Sequence, residues 1–263
     1  MASTRSATRI LILGGTAEAR QLAGRLAASA EFDVNLSLAG RTEKPVAHPV
    51  PVRVGGFGGP EGLAQHLRES GVDILVDATH PYAAQISANA AEAAAKTGVP
   101  IVALRRPPWT TSTADHWEDV DDASAAADRL VASEKRLRVF LALGRQELTP
   151  FERAPQHFYL IRSVDPVEPR LILPDAQYIV ARGPFEEVDE SDLFQTNRID
   201  IIVCKNSGSS ATYAKLAAAR QLDIRVLMIR RSALPDVPSG ETVDEVLAMI
   251  DHLVTSVAKK RGV

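Results

Sequence analysis

One cysteine, Cys204, occurs in 263 residues, so an internal disulfide and a cysteine-rich zinc site are excluded. It lies in the apolar run 201–204, where it reads as a small buried residue. A strong charge of either sign is missing too. The formal balance is −3, and no global basic field exists to hold nucleic acid. No apolar run approaches the length of a membrane span. Met1–Thr8 is polar and too short for a secretion signal. These absences point to a cytoplasmic chain with no nucleic-acid or membrane partner, and a monomer is compatible with them. Catalytic signatures are also absent. There is no Gly-x-Ser-x-Gly elbow, which argues against an α/β-hydrolase. There is no His-Glu-x-x-His or histidine pair, so no metal is expected. Tyr82 is followed four residues on by Ile86 and Tyr178 by Arg182, so the Tyr-x-x-x-Lys pairing of short-chain reductases is missing.

What is present is an ordinary soluble composition, 45% hydrophobic and 24% charged, enough for a core of one large or two ordinary domains. The informative stretch is Arg9-Ile-Leu-Ile-Leu-Gly-Gly-Thr-Ala-Glu-Ala-Arg20. An apolar run, 10–13, reads as a buried parallel strand. It breaks at Gly14 and Gly15 and passes into a helix starting near Ala17. Two glycines let the backbone turn sharply and approach a ligand without a Cβ in the way, and the helix N-terminus then faces an anion such as a pyrophosphate. The spacing is not Gly-x-Gly-x-x-Gly, so the match to a dinucleotide fingerprint is loose. Thr16 and Glu18 are counted with the glycines as cofactor-binding candidates.

A repeat runs through the chain. Val72-Asp-Ile-Leu-Val76 matches Ile199-Asp-Ile-Ile-Val203, and each leads to an alanine-rich helix. Each helix is followed by a strand ending in a double arginine, Arg105-Arg106 and Arg230-Arg231. Beyond each arginine pair lie a proline-containing loop and an acidic-start helix, 119–131 and 241–253. Arg9-Ile-Leu-Ile-Leu-Gly14 recurs as Arg138-Val-Phe-Leu-Ala-Leu-Gly144. The reading is α/β, with two tandem Rossmann-like doubly wound units and a cleft between them, joined near 133–137. Residues 1–135 form the NADP-binding unit and 136–263 the substrate-side unit. Strands are expected near 9–13, 33–38, 52–54, 73–77 and 100–104, then near 138–142, 157–162, 177–181, 199–204 and 225–229. Helices are expected near 17–29, 60–70, 83–97, 210–220 and 241–256.

Ligands of such sheets sit beyond the carboxyl ends of the strands, which directs attention to five loops. After the second strand, where an NAD-binding unit usually carries an acid, stand Arg41 and Thr42; they suit a 2′-phosphate and hence NADPH. Gly55-Gly-Phe-Gly-Gly59 is either a flexible turn or a wall of Gly56 and Phe57 close to the cofactor. In Asp77-Ala-Thr-His-Pro-Tyr82, Thr79 and His80 are candidates to bond a carboxamide, and His80 and Tyr82 are weak candidates for proton transfer. Arg182-Gly-Pro-Phe185 and Lys205-Asn-Ser-Gly208 offer polar and cationic groups in the second unit. That unit has Gly144-Arg-Gln146 in place of a Gly-Gly turn, so the first unit is assigned the cofactor and the second the substrate.

Six stretches in order resemble one known family: Leu13–Arg20, Ser37–Thr42, Gly55–Gly59, Asp77–Ala83, Arg182–Phe185 and Lys205–Gly208. The chain resembles the precorrin-6A reductases of cobalamin synthesis from about residue 9 to 231. The resemblance implies reduction of one carbon–carbon double bond of precorrin-6A to give precorrin-6B, with hydride from NADPH to C19 and a proton to C18. Phe is common in the family where this chain has Tyr82, which argues against a catalytic hydroxyl there. The implied substrate is a polycarboxylate, so local cations must pair with it. Arg145, Arg182 and Lys205, with Asn206 and Ser207, are the substrate-binding candidates, and Arg105 and Arg106 are further cations near strand ends. A non-catalytic NADP(H)-sensing protein and a reductase of another small conjugated substrate are the alternatives. The residues do not separate precorrin-6A from its cobalt-containing counterpart.

Overall fold

Ile10, Leu11, Ile12 and Leu13 are each at most 3% exposed, and successive side chains of a strand point to opposite faces. Both faces of this strand must therefore be covered, which is the condition of a parallel sheet between helices. The computed structural model describes residues 7–40 and 47–261. Arg41 and Thr42 lie outside the described residues.

In chain order the first stretch runs β1 (Thr8–Leu13), α1 (Ala17–Ala27), β2 (Phe32–Leu38), β3 (Val52–Val54), α2 (Gly59–Glu69), β4 (Ile74–Asp77), α3 (Ala84–Thr97) and β5 (Ile101–Leu104). Then follow β6 (Trp117–Val120), α4 (Ala123–Val131), β7 (Arg138–Ala142), β8 (Phe158–Ser163), β9 (Ala176–Val180), α5 (Glu187–Thr196), β10 (Ile201–Lys205), α6 (Ala214–Gln221), β11 (Arg225–Ile229), β12 (Ser239–Gly240) and α7 (Val243–Arg261).

Two six-stranded parallel sheets result, ordered β12-β5-β4-β1-β2-β3 and β6-β11-β10-β7-β8-β9. Read from the other edge, each is the 3-2-1-4-5-6 order of a dinucleotide-binding sheet. The Rossmann-like expectation holds for both. In the first, Ile10 and Ile12 pack with Leu22 and Leu26 of α1 and with Val246 and Ile250 of α7. Leu11 and Leu13 pack on the other face, with Leu63 and Leu67 of α2 and the small residues Ala90, Ala93 and Ala94 of α3. Each fully buried leucine contributes about 1.5–3 kcal/mol relative to an exposed one.

The repeat has a structural cause. Asp73 accepts a hydrogen bond from Arg9 N at 2.9 Å, while Asp73 N donates to Arg9 O. Asp200 and Arg138 make the same reciprocal pair in the second unit. The shared Asp-apolar-apolar-Val thus clamps the start of the fourth strand to the start of the first.

The domain boundary differs from the expected one at 135/136. One unit comprises the residues up to Pro107 together with those from Ser232 onward; the other is Pro108–Arg231. The sixth strand of each sheet comes from the other half of the sequence. β6 pairs with β11, and β12 with β5. Arg105 N donates to Gly240 O and Arg230 N to Val120 O, which are equivalent bonds in the two sheets. The local sequence specified the elements after each arginine pair but not which sheet would receive them, because pairing partners are chosen by long-range packing.

Candidate functional site

In the first sheet the strand order reverses between β1 and β4. Ligands of doubly wound sheets bind at this point. Gly15, just past β1, has φ +118°, and a Cβ built on it would meet no protein atom within 4 Å. The backbone there faces open space in a conformation that favours glycine. Gly14 serves packing instead, since its added Cβ would stand 2.6 Å from Leu36 Cδ1. Thr16 is the N-cap of α1. Its hydroxyl accepts from Ala19 N and donates to Ala78 O, each at 3.0 Å, and so ties the α1 turn to the loop after β4. Gly14, Gly15, Thr16, Thr79 and His80 are therefore brought together at the carboxyl ends of adjacent strands.

Asp77 ends β4 with no exposure. It accepts from Thr79 N at 3.1 Å, from Thr79 Oγ1 at 2.6 Å and from Arg105 Nη2 at 2.6 Å. Burial alone would raise its carboxyl pKa. The Arg105 guanidinium and hydrogen bonds from Arg105, Ser87 and Thr79 outweigh that and hold it below the usual carboxylate range. This buried anion orders the loop that carries Thr79 and His80. His80 is half-buried, accepts from Tyr82 N at 3.3 Å, and its ring lies 5.6 Å from that of Tyr82. Glu18 accepts from Arg106 Nη1 through both oxygens at 2.7 Å. Arg105 and Arg106, read from the sequence as cations for the substrate, are thus each paired with an acid of their own unit.

The glycine loop after β3 is a built turn rather than a slack one. Arg53 donates to Gly55 O and Gly56 O and lies 3.9 Å over the Phe57 ring. A Cβ on Gly62 would fall 1.7 Å from Phe57 O, so only glycine admits that approach. Phe57 packs against the α2–α3 side of the core, and its ring lies 5.1 Å from that of His66. Gly56 and Phe57 stand at the far edge of the sheet, two strands from β1.

In the second sheet the matching strand ends carry Arg145, Arg182 and Lys205. Lys205, the last residue of β10, is ion-paired with Glu147. Arg145 Nη1 donates to Pro166 O at 3.1 Å, and Arg182 is exposed. Asn206 does something the sequence did not suggest. Its Oδ1 accepts from Trp109 N at 2.7 Å, its Nδ2 donates to Trp109 O at 2.9 Å, and its carbonyl accepts from Arg231 Nε. The two ends of the second unit are tied down on this one residue. Ser207 is buried, 3.3 Å from the Thr212 hydroxyl. The 182–185 and 205–212 loops are joined, because Phe185 N donates to Ala211 O and a Cβ on Gly183 would fall 2.7 Å from that oxygen. Cys204 is buried with its thiol pKa pushed up by burial, an unreactive core residue as expected. Among the described residues there is no cluster of three or more His, Cys, Asp or Glu able to hold a metal ion, and no helix is long and apolar enough to cross a membrane.

The precorrin-6x reductase family, CbiJ/CobK, matches residues 9–251. A precorrin-6A reductase of Sinorhizobium sp. is 55% identical over 93% of this chain and 93% of its own length. A cobalt-precorrin-6A reductase of Priestia megaterium is 29% identical over 90% of this chain and 96% of its own. The solved structure of a CobK precorrin-6A reductase superposes with a TM-score of 0.88 at 46% identity, covering 94% of this chain and 97% of that one.

Proposed function

Because the chain belongs to the precorrin-6x reductase family, we propose that it reduces a carbon–carbon double bond of precorrin-6A with NADPH, giving precorrin-6B in cobalamin biosynthesis. The identity of 55% to a precorrin-6A reductase, against 29% to a cobalt-precorrin-6A reductase, favours the metal-free macrocycle. The observation that carries the cofactor reading is the open, positive-φ Gly15 at the N-terminus of α1, beside the strand-order reversal. Gly15 and the first turn of α1 would hold the pyrophosphate, with Thr16 fixing the turn and Thr79 and His80 on the nicotinamide side. NADPH supplies a hydride when bound.

The chain's own part is orientation and charge. Asp77 holds the 78–80 loop in place through Thr79. Conjugated imine nitrogens of the macrocycle take up charge as reduction proceeds, so little acid–base machinery is required of the protein. A proton source close to His80, or water, completes the addition. For the substrate, Arg145, Arg182 and Lys205 supply the cationic groups for its carboxylates. Asn206 and Ser207, bonded within the unit, order the loop that follows Lys205.

NADPH oxidation in the presence of precorrin-6A, with NADH in parallel, tests the reading. Turnover with NADPH is expected, and a well-folded chain inactive with both would overturn it. Arg41 and Thr42 in place of an acid support preference for the 2′-phosphate. Arg41→Ala should weaken NADPH by about 1.5–3 kcal/mol, the range for a hydrogen bond to a charged group, and leave NADH nearly unchanged. Equal losses in a binding titration would remove Arg41 from that role.

A further inference from the structure

Helix α1 sorts its charged side chains onto opposite flanks. Successive helical residues are turned by about 100°, so Glu18 and Arg20 lie on either side of Ala19, which is buried against the sheet. Glu18 takes the β5 flank, where it holds Arg106. Arg20 takes the other flank, towards the segment that joins β2 to β3. Gly24 lies one turn further on the same face, and a Cβ built on it would stand 3.5 Å from Pro49 Cγ of that segment. His48 precedes Pro49 and is close to Arg20. Burial first, and the Arg20 charge second, hold its pKa below the ordinary imidazole value.

Among the described residues, two groups on this flank lack partners. The half-buried Arg20 side chain makes no ion pair or hydrogen bond there, and His48 Nδ1 is buried without a hydrogen-bond partner. Arg105 and Arg106 of the same unit each have an acid, Asp77 and Glu18. The neutral imidazole beside Arg20 gives it no counter-charge. A half-buried cation of this kind is a place for an anion. The anion comes from the ligand side. Arg20 is the fourth residue of α1, and helical side chains lean towards the helix N-terminus, which here follows the carboxyl end of β1. The neighbouring strand on this flank is β2, paired with β1 as far as Leu13 with Ser37. In a sheet of this order the adenosine ribose lies past the end of that second strand.

We propose that Arg20 is a specificity-determining residue that pairs with the 2′-phosphate of NADPH from the helix side. The proposal rests on the reading of the first unit as the NADPH-binding one. Arg41 is the loop candidate for the same phosphate; Arg20 differs in standing on a helix. Its backbone N donates to Thr16 O at 3.3 Å, inside the turn assigned to the pyrophosphate. One rigid turn then serves both phosphate groups. The planar, multiply donating guanidinium suits a phosphate. NADH brings no anion to this flank, so Arg20 separates the two cofactors without touching what they share.

The test is nucleotide binding to the full chain without precorrin-6A, followed by nicotinamide fluorescence. Adenosine 2′,5′-bisphosphate, which lacks the nicotinamide half, is titrated as a competitor. Arg20→Gln should raise the Kd of NADPH and of this fragment by about tenfold, the size of a hydrogen bond to a charged group. NADH should stay within about twofold, which also reports that the variant is folded. Arg20→Lys keeps the charge and should fall between the native chain and Arg20→Gln for both phosphorylated nucleotides. Equal losses for NADPH and NADH overturn the proposal, since Arg20 would then support the turn as a whole. Native-like NADPH affinity in Arg20→Gln overturns it too, and a raised KM for precorrin-6A alongside would give Arg20 to the substrate. If the native chain binds NADPH no tighter than NADH, the cofactor reading beneath the proposal fails instead.

Discussion

Glu190→Ala is expected to destabilise the second unit by about 3–5 kcal/mol, the range for removing one partner of a buried ion pair. Arg162 on β8 and Glu190 on α5 have side chains 7% and 3% exposed and are joined through both terminal guanidinium nitrogens and both carboxylate oxygens. The guanidinium also lies 3.8 Å over Phe185 and 4.8 Å over Phe140, which leaves it little access to water. A second cation is close by. Lys215 is buried, donates to Thr212 O at 2.6 Å and lies 4.8 Å over Trp109. Burial lowers its pKa, and Glu190 offsets that in part. Without the glutamate, Arg162 is left buried and uncompensated and Lys215 is pushed further towards its neutral form. Thermal unfolding followed by circular dichroism should show a midpoint at least about 6 °C lower. Replacing both partners by apolar residues, Arg162→Met with Glu190→Leu, should recover most of the loss. A single variant that melts like the native chain would mean the pair contributes no net stability. A double variant as unstable as the single would mean the pair is needed for packing that apolar residues do not supply.

The same glutamate explains what the sequence concealed. The strands and helices of the first stretch were legible because β1, α1 and α2 carry uninterrupted apolar patterns; Ala19, Leu22, Ala23 and Leu26 form an unbroken buried stripe on α1. Helix α5 was not among the expected elements. Its buried residues are Glu190, Ser191 and Phe194, so the face it turns inward reads as polar. The exchange of sixth strands was hidden for another reason. β12 is two residues long and follows Pro238, which gives no strand pattern. β6, Trp117–Val120, ran into the acidic start of the expected helix at 119, and α4 itself begins at Ala123 after the N-cap Asp122. The site was legible to a similar depth. The glycine turn and the strand-end loops were visible as motifs. The partners Glu18–Arg106, Glu147–Lys205 and Asp77–Arg105 were not, because each joins residues far apart in sequence whose meeting depends on strand order. Asn206 illustrates the limit. Its residue type suggested a ligand contact, but the nearest acceptor and donor for its amide are the backbone groups of Trp109.

Gly15→Val should abolish cofactor binding while the chain stays folded, and the two neighbouring glycines show why those effects separate. At Gly14 an added Cβ collides with Leu36, a fully buried core residue, so substitution there damages the sheet as well as the turn. At Gly15 the added Cβ meets nothing in the protein. The cost to folding is then the strain of a β-branched residue at φ +118°, about 1–3 kcal/mol. The space the valine enters is the one a pyrophosphate needs if α1 directs its N-terminal amides at it. Both methyl groups would stand between the phosphate oxygens and those amides, and relief of the strain by moving the turn would carry Thr16 and its bond to Ala78 out of place. The dissociation constant for NADPH, measured by nicotinamide fluorescence, should rise at least about 100-fold, a loss of about 2.7 kcal/mol. Gly14→Val should instead lower the melting temperature sharply. Native-like NADPH affinity in Gly15→Val would place the pyrophosphate elsewhere and withdraw the first unit's claim to the cofactor, since that claim rests on Gly15 as the open, positive-φ residue at the strand-order reversal.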